Sequence, residues 1–128
     1  MRYIWLTAYN LIIYPLFFVL TLFLVPFNKK IRLGFFGRIK SRKKLLRFKE
    51  KTSFSKHYWF HVSSHGEYQQ VQSIIAELKK DNIGIIVSFF SPSGFNNVND
   101  DNIDCKIYLP FDFLISLYRS LKIVKPSK

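Results

Sequence analysis

Hydrophobic and polar positions divide the chain into three stretches. From Tyr3 to Asn28 no side chain carries a charge, and the run Leu11-Ile12-Ile13-Tyr14-Pro15-Leu16-Phe17-Phe18-Val19-Leu20-Thr21-Leu22-Phe23-Leu24-Val25 is almost wholly apolar. A helix crosses the hydrocarbon layer with about 20 such residues, so residues 1–28 are expected to form a membrane anchor. Pro15 would break a soluble helix but is tolerated in a membrane one. Tyr3, Trp5 and Tyr9 gather at one end, as interfacial aromatics do. A cleaved signal peptide would have a more basic start, a shorter apolar core and a small-residue cleavage site. A helix lying in the membrane interface stays open as an arrangement, since Asn10 and Pro15 interrupt the span.

From His57 onward the pattern alternates between strand and helix. His57 to Ser63 is aromatic and β-branched, which predicts a strand. Val71, Ile74, Ile75 and Leu78 have helical spacing and predict a helix over Glu67 to Lys80. Ile83 to Phe90 is a continuous apolar run, as in a strand buried on both faces. Ser91-Pro92-Ser93-Gly94 reads as a loop, residues 96–104 as polar and exposed, and Cys105 to Leu109 as a short strand. Asp112 then reads as the N-cap of a helix buried through Phe113, Leu114, Leu117 and Leu121, which stops before Pro126. This order predicts an α/β fold, a parallel sheet with helices on its faces. Lys125-Pro126-Ser127-Lys128 falls where a fourth strand is expected to begin, so the sheet of residues 57–128 reads as incomplete.

Between these stretches lies a basic one. The net charge of the chain is +12, from 20 Lys and Arg against 8 Asp and Glu. Nearly all of the excess falls in residues 29–56, where Glu50 is the sole acid among Lys29, Lys30, Arg32, Arg38, Lys40, Arg42, Lys43, Lys44, Arg47, Lys49, Lys51 and Lys56. Beside an anchor this reads as a basic juxtamembrane segment, solvated and kept on the cytoplasmic side by the positive-inside rule. Anionic headgroups would attract it, at about 1 kcal/mol per Lys or Arg near the surface. Lys29, Lys30, Arg32, Arg38, Arg42, Lys43, Lys44 and Arg47 are the candidate lipid contacts. A nucleic-acid patch is disfavoured by the adjoining membrane run and by the lack of a folded face to carry the charge.

Composition excludes several classes. Aromatics at 18% exclude a disordered chain. Cys105 is the single cysteine, so no disulfide framework forms within the chain, and no zinc-ligand spacing is present. On a buried strand Cys105 is expected to be an inert thiol.

The candidate chemistry sits in the turn Ser63-Ser64-His65-Gly66-Glu67, between the first strand and its helix. In open α/β sheets ligands bind beyond the carboxyl ends of the strands. Gly66 is expected to permit a tight turn and a close ligand, and Glu67 to sit where the helix dipole favours negative charge. An ionised, positioned carboxylate can take a proton from a hydroxyl nucleophile, although a first-turn Glu also serves as a plain helix cap. Ser91, Ser93 and Gly94 lie at the same sheet edge and offer hydroxyl and N–H groups to a sugar or phosphate, in a pattern that is not a Walker loop. His61 reads as a core or supporting residue, and His65 as a substrate contact rather than a metal ligand.

Trp59-Phe60-His61-Val62-Ser63-Ser64-His65-Gly66-Glu67 resembles the W-x-H-x-x-S-x-G-E segment of 3-deoxy-D-manno-octulosonic acid (Kdo) transferases. Ser88 to Gly94 resembles that family's T-x-x-T-x-T-G loop, Tyr108-Leu109-Pro110-Phe111-Asp112 its Y-L-P-Y-D segment, and Lys125-Pro126 its R/K-P pair. The resemblance implies the N-terminal, acceptor-side, Rossmann-like half of a two-domain GT-B glycosyltransferase. Such enzymes transfer Kdo from CMP-Kdo to a lipid A precursor in lipopolysaccharide synthesis, at the cytoplasmic face of the bacterial inner membrane. It implies Glu67 as the general base for inverting attack, Ser63, Ser64, His65, Gly66, Ser91, Ser93 and Gly94 as acceptor contacts, no metal and no cofactor. His65 departs from the small apolar residue usual there, and the stretch after Phe95 is shorter and richer in Asn and Asp. The C-terminal domain that grips CMP in this family is not among these residues, as expected of a gene fragment, a split enzyme with a separately encoded partner or a truncated product, and little activity is expected of this chain alone. The reading from a different class is a non-catalytic, membrane-anchored basic module that binds anionic lipid or a partner protein.

Overall fold

The computed structural model describes residues 2–111 and 114–125. The N-terminal run is one continuous helix in three parts: α1 (Arg2–Ala8), a π-helical turn (Tyr9–Ile13) and α2 (Tyr14–Leu24). The wider turn lies just before Pro15, whose ring cannot donate to the carbonyl four residues back. The Asn10 amide donates to the Leu6 carbonyl at 2.8 Å, so this polar side chain is satisfied inside the helix. Ile4–Leu24 spans 21 residues, none of them buried, and is long and apolar enough to cross a membrane. At 1.5 Å per residue it measures about 31 Å, against a hydrocarbon layer of about 30 Å.

The basic stretch is not a solvated linker. Residues Lys29–Lys51 form α3, a 23-residue helix capped by Asn28, whose side chain accepts from Lys30 N–H at 2.9 Å and Ile31 N–H at 3.2 Å. Gly34, Ser41, Leu45 and Phe48 are buried along one face, while the cations other than Arg38 are exposed. This face lies on the sheet beside strand β3 (Cys105–Tyr108). Gly37 permits the contact, because a Cβ there would strike the Tyr108 ring. The Ser41 hydroxyl bonds the Tyr108 carbonyl at 2.7 Å.

The sheet is parallel, in the order β1 (His57–Val62), β2 (Gly84–Phe89), β3, with His57 opposite Gly84 and Ile86 opposite Cys105. Alternation along β2 sends Ile85, Val87 and Phe89 to one face and Ile86 to the other. On the first face they meet Tyr68 and Ile75 of α4 (His65–Lys80). On the second, Ile86, Cys105 and Ile107 meet Leu45 and Phe48 of α3 and Val124 of α6 (Leu114–Val124). Helices therefore cover both faces, as the strand–helix order requires.

Four expectations change. The segment after β2 is a helix, α5 (Pro92–Asn97), rather than a loop: Ser91 caps it, and Pro92 at its first position is pre-set for helical φ. Helix α4 starts at His65 rather than Glu67, because Ser64 is its N-cap. The polar stretch 96–104 is not wholly exposed, since Val98 is buried and Asp100 accepts from Tyr68, Gln72 and Asn102. Among the described side chains of α6, which do not include Leu114, the buried ones are Ser120 and Val124, while Leu117 is partly buried and Leu121 is 41% exposed. Asp112, Phe113 and Pro126 lie outside the described residues.

Asp100 fastens the segment before β3 to α4. The Tyr68 hydroxyl donates to its Oδ2 at 2.6 Å. Burial works upward on the Asp100 carboxyl, but the hydrogen bonds from Tyr68, Asn102 and Gln72 hold it below its ordinary value. A depressed folded-state pKa gives stability that is present above the unfolded value and is lost as pH falls through the folded one. Tyr68→Phe is expected to lose about 1 kcal/mol at neutral pH. In urea melts the gap to the unmodified chain should narrow below about pH 4, and a gap independent of pH would disprove the Asp100 link.

Candidate functional site

Three strand ends converge on one edge of the sheet. The β1–α4 turn holds Ser63 to Glu67, the β2–α5 turn holds Ser91 to Gly94, and Leu109-Pro110-Phe111 follow β3. The two serine turns have the same construction. Ser64 Oγ accepts from Glu67 N–H at 3.3 Å, and Ser91 Oγ accepts from Gly94 N–H at 3.1 Å. Ser and Pro are strong helix starters, which makes both turns local consequences of sequence.

Gly94 brings the turns together. A Cβ on it would lie 2.9 Å from Phe89 Cδ1 and 3.1 and 3.2 Å from the backbone of Ser64. Ser91 N–H also donates to the Ser63 carbonyl at 3.2 Å. The proposed acceptor contacts of the two turns are therefore adjacent. Ser63, Gly66 and Ser93 are exposed, Ser64, His65 and Ser91 are partly buried, and Gly94 is buried. Gly66 does not take a positive φ, so a tight turn does not explain it. A Cβ there would meet only Ser64 Oγ at 4.0 Å, which leaves clear space above the first turn of α4.

Glu67 is exposed at this edge. Its Oε2 accepts from Ser63 N–H at 2.7 Å, which turns the carboxylate back over the end of β1. Such a bond to an ionised group is short and strong, and it fixes the direction of the carboxylate. Oε1 has no protein donor among the described residues. The arrangement is a cap that also presents one carboxylate oxygen to solvent.

The histidines play separate parts. His65 Nε2 lies 3.3 Å from Gln69 Nε2, while its Nδ1 is buried without a hydrogen-bond partner among the described residues. His61, expected in the core or as a supporting residue, is exposed on β1 and not in the core, with Nδ1 3.1 Å from Ser88 Oγ. Ser88 Oγ also accepts from Trp59 Nε1 at 2.8 Å, so the motif residues Trp59 and His61 converge on one buried hydroxyl. His57 lies edge-on to Phe48 and Phe54. Burial and then Lys49 lower its pKa. Burial pushes the Cys105 thiol up to about 11, as an inert core thiol requires.

Of the candidate lipid contacts, Lys29, Lys30, Arg32, Arg42, Lys43, Lys44 and Arg47 are exposed on α3. Arg38 differs. Its Nη1 donates to the Leu109 carbonyl at 3.1 Å and its Nη2 to the Phe90 carbonyl at 3.0 Å, and the guanidinium stands 4.7 Å from the Phe90 ring centroid. It thus ties the ends of β2 and β3 to α3 at the same edge as Glu67. Sequence reasoning placed Arg38 among its basic neighbours, and no local signal sets it apart from them.

No curated protein and no solved structure gives a significant match to this chain. A family model for the N-terminal domain described as 3-deoxy-D-manno-octulosonic-acid transferase (kdotransferase) matches residues 30–128. The match begins within α3 and takes in the whole sheet with both serine turns. Since it covers more than half of the chain, this protein belongs to the 3-deoxy-D-manno-octulosonic-acid transferase family.

Proposed function

We propose that this chain supplies the acceptor side of a Kdo transferase that uses CMP-Kdo as donor and a lipid A precursor as acceptor. Family membership supports a glycosyltransferase of the Kdo-transferase kind. The observation that carries the mechanism is the Glu67 carboxylate, directed by Ser63 N–H and open on Oε1, at the end of β1. In this reading Glu67 takes the proton of an acceptor hydroxyl. The oxygen attacks the anomeric carbon of Kdo, and the bond to CMP breaks with its electrons leaving on the phosphate, so the anomeric configuration inverts. Ser63, Ser64, His65, Gly66, Ser91, Ser93 and Gly94 orient the acceptor sugar. The donor is gripped by a C-terminal domain, and no metal or cofactor takes part.

The test is Kdo transfer to a lipid A precursor by membranes carrying this chain, alone and with a kdotransferase C-terminal domain. Activity is expected only in the combination. Absence of transfer in both would favour the non-catalytic anchored module.

The reading also places the helix from Ile4 to Leu24 in the bacterial inner membrane, with the sheet on the cytoplasmic face. High salt screens headgroup attraction but not apolar burial. The full chain is therefore expected to stay in the membrane pellet at 1 M salt (about 3 Å Debye length). A variant lacking residues 2–28 should be released by the same wash, and release of the full chain would disprove insertion.

A further inference from the structure

Two cavities, of about 270 and 470 Å³, lie between the anchor helix and the strand ends. They share Thr21, Arg38, Phe90 and Phe111, so they form one groove. Its polar end holds Lys30 and Ser91. Its apolar end runs along α2 and the π turn, past Phe18, Phe17 and Ile13 to Tyr9. From Thr21 to Tyr9 the helix rises about 18 Å, the length scale of one acyl chain.

The charges in the groove are one-sided. Among the described residues no acidic side chain lines either cavity, whereas Arg38 lines both and Lys30 lines the smaller one. Arg38 is partly buried, and burial lowers its pKa. It has no carboxylate partner among the described residues, where the ion pairs are Lys79–Asp104 and Lys80–Glu77. Its two bonds to carbonyls leave three of its five N–H donors for a ligand. A partly desolvated cation facing a groove whose described lining holds no acid is complementary to an anion, and the apolar lining beyond it is complementary to a hydrocarbon tail.

We propose that this groove binds one acyl chain of a phosphorylated lipid. The anionic group sits between Arg38 and Lys30, and the tail lies between the anchor helix and Phe90 and Leu109. The lipid enters sideways from the bilayer, since one wall of the groove is the anchor itself. Where the transferase reading holds, on which this step rests, the lipid is the acceptor, and Ser91 at the polar end sets its headgroup beside the Glu67 turn.

The test uses the full chain in phosphatidylcholine vesicles doped with an alkyl phosphate that carries a diazirine at mid-chain. The matching uncharged alcohol serves as the second probe. Photolabelling mapped by mass spectrometry is expected at Phe17, Phe18, Phe90 and Leu109, about tenfold stronger with the phosphate, as one charge-assisted contact implies. Arg38→Gln should reduce this to the level of the alcohol. Thr21→Trp, which fills the junction of the two cavities from the anchor side, should block labelling of Phe90 and Leu109 and leaves the sheet untouched should the Arg38 variant not fold. Labelling confined to outward residues such as Leu16, Val19 and Phe23, and equal for the two probes, would overturn the proposal. Full displacement by inorganic phosphate would also overturn it, by showing an anion site without a tail site. No sugar donor is present, so the outcomes separate: groove labelling without transfer sinks the transferase reading alone, and transfer with only outward labelling sinks the groove alone.

Discussion

Glu67→Gln is expected to lower the rate of Kdo transfer by about 10²–10⁴, the usual contribution of a positioned general base. The assay is the reconstituted pair of this chain and a C-terminal donor domain, with binding of both substrates kept saturating so that kcat is read. Gln can still accept from Ser63 N–H through its amide oxygen, so the turn built on the 2.7 Å bond should persist. Its amide cannot take a proton from a hydroxyl. A loss in kcat with little change in KM is therefore the expected signature, because the proton is taken only in the transition state. The side chain is exposed and caps a helix, so the stability change should stay within about 1 kcal/mol. Equal kcat values for the two proteins would remove Glu67 from the chemistry and leave it as a cap.

Two glycines on α3 should respond in opposite directions to the same change. In a helix interior Ala is favoured over Gly by about 1 kcal/mol, so propensity alone predicts stabilisation at both sites. At Gly34 a Cβ would sit 3.7 Å from Pro92 Cγ, an ordinary contact, and Gly34→Ala should be neutral or stabilising. At Gly37 a Cβ would run into the Tyr108 ring, and the helix would have to move off β3. Overpacking of this kind costs about 1–3 kcal/mol, and the buried bond from Ser41 to the Tyr108 carbonyl, 2.7 Å long, would be stretched with it. Gly37→Ala is expected to lose about 2 kcal/mol net, a fall in Tm of about 5–10 °C. Thermal melts of the two variants give the comparison directly. Stabilisation by Gly37→Ala would show that α3 does not approach β3 as closely as described.

The sheet was legible because its strands and helices carry strong local signals. The apolar run Ile83 to Phe90 matches β2, buried throughout, to within a residue at each end. The periodicity of Val71, Ile74, Ile75 and Leu78 matches α4, with Ile74 of the four facing solvent. The apolar helix at the N-terminus was legible for the same reason, being a long stretch with one character. Helix α3 was not legible as part of the body. Its buried face is made partly of Gly34, Gly37 and Ser41, which hydrophobic spacing does not register, and the surrounding cations make the stretch look solvated. Small residues there reflect how near the helix comes to β3, a property of two elements at once.

The candidate site divides in the same way. Ser64 and Ser91 as caps, Pro92 at a helix start and Glu67 in a first turn rest on side-chain chemistry within a few residues, so the sequence by itself determined both turns, although the second reads as a loop and only the family resemblance singles out Glu67 as a base. Their adjacency depended on Gly94 admitting Ser64 at close range, and on β1 and β2 pairing in register. The role of Arg38 depended on α3 lying across strand ends 52 and 71 residues further along the chain. The sequence determined which segments are apolar, which are charged and how each short stretch folds, because those properties are carried by neighbours along the chain. Only the tertiary structure decided that Arg38 of the basic run bonds the chain just past β2 and β3, at the sheet edge that carries Glu67, because that depends on contacts between residues far apart in sequence.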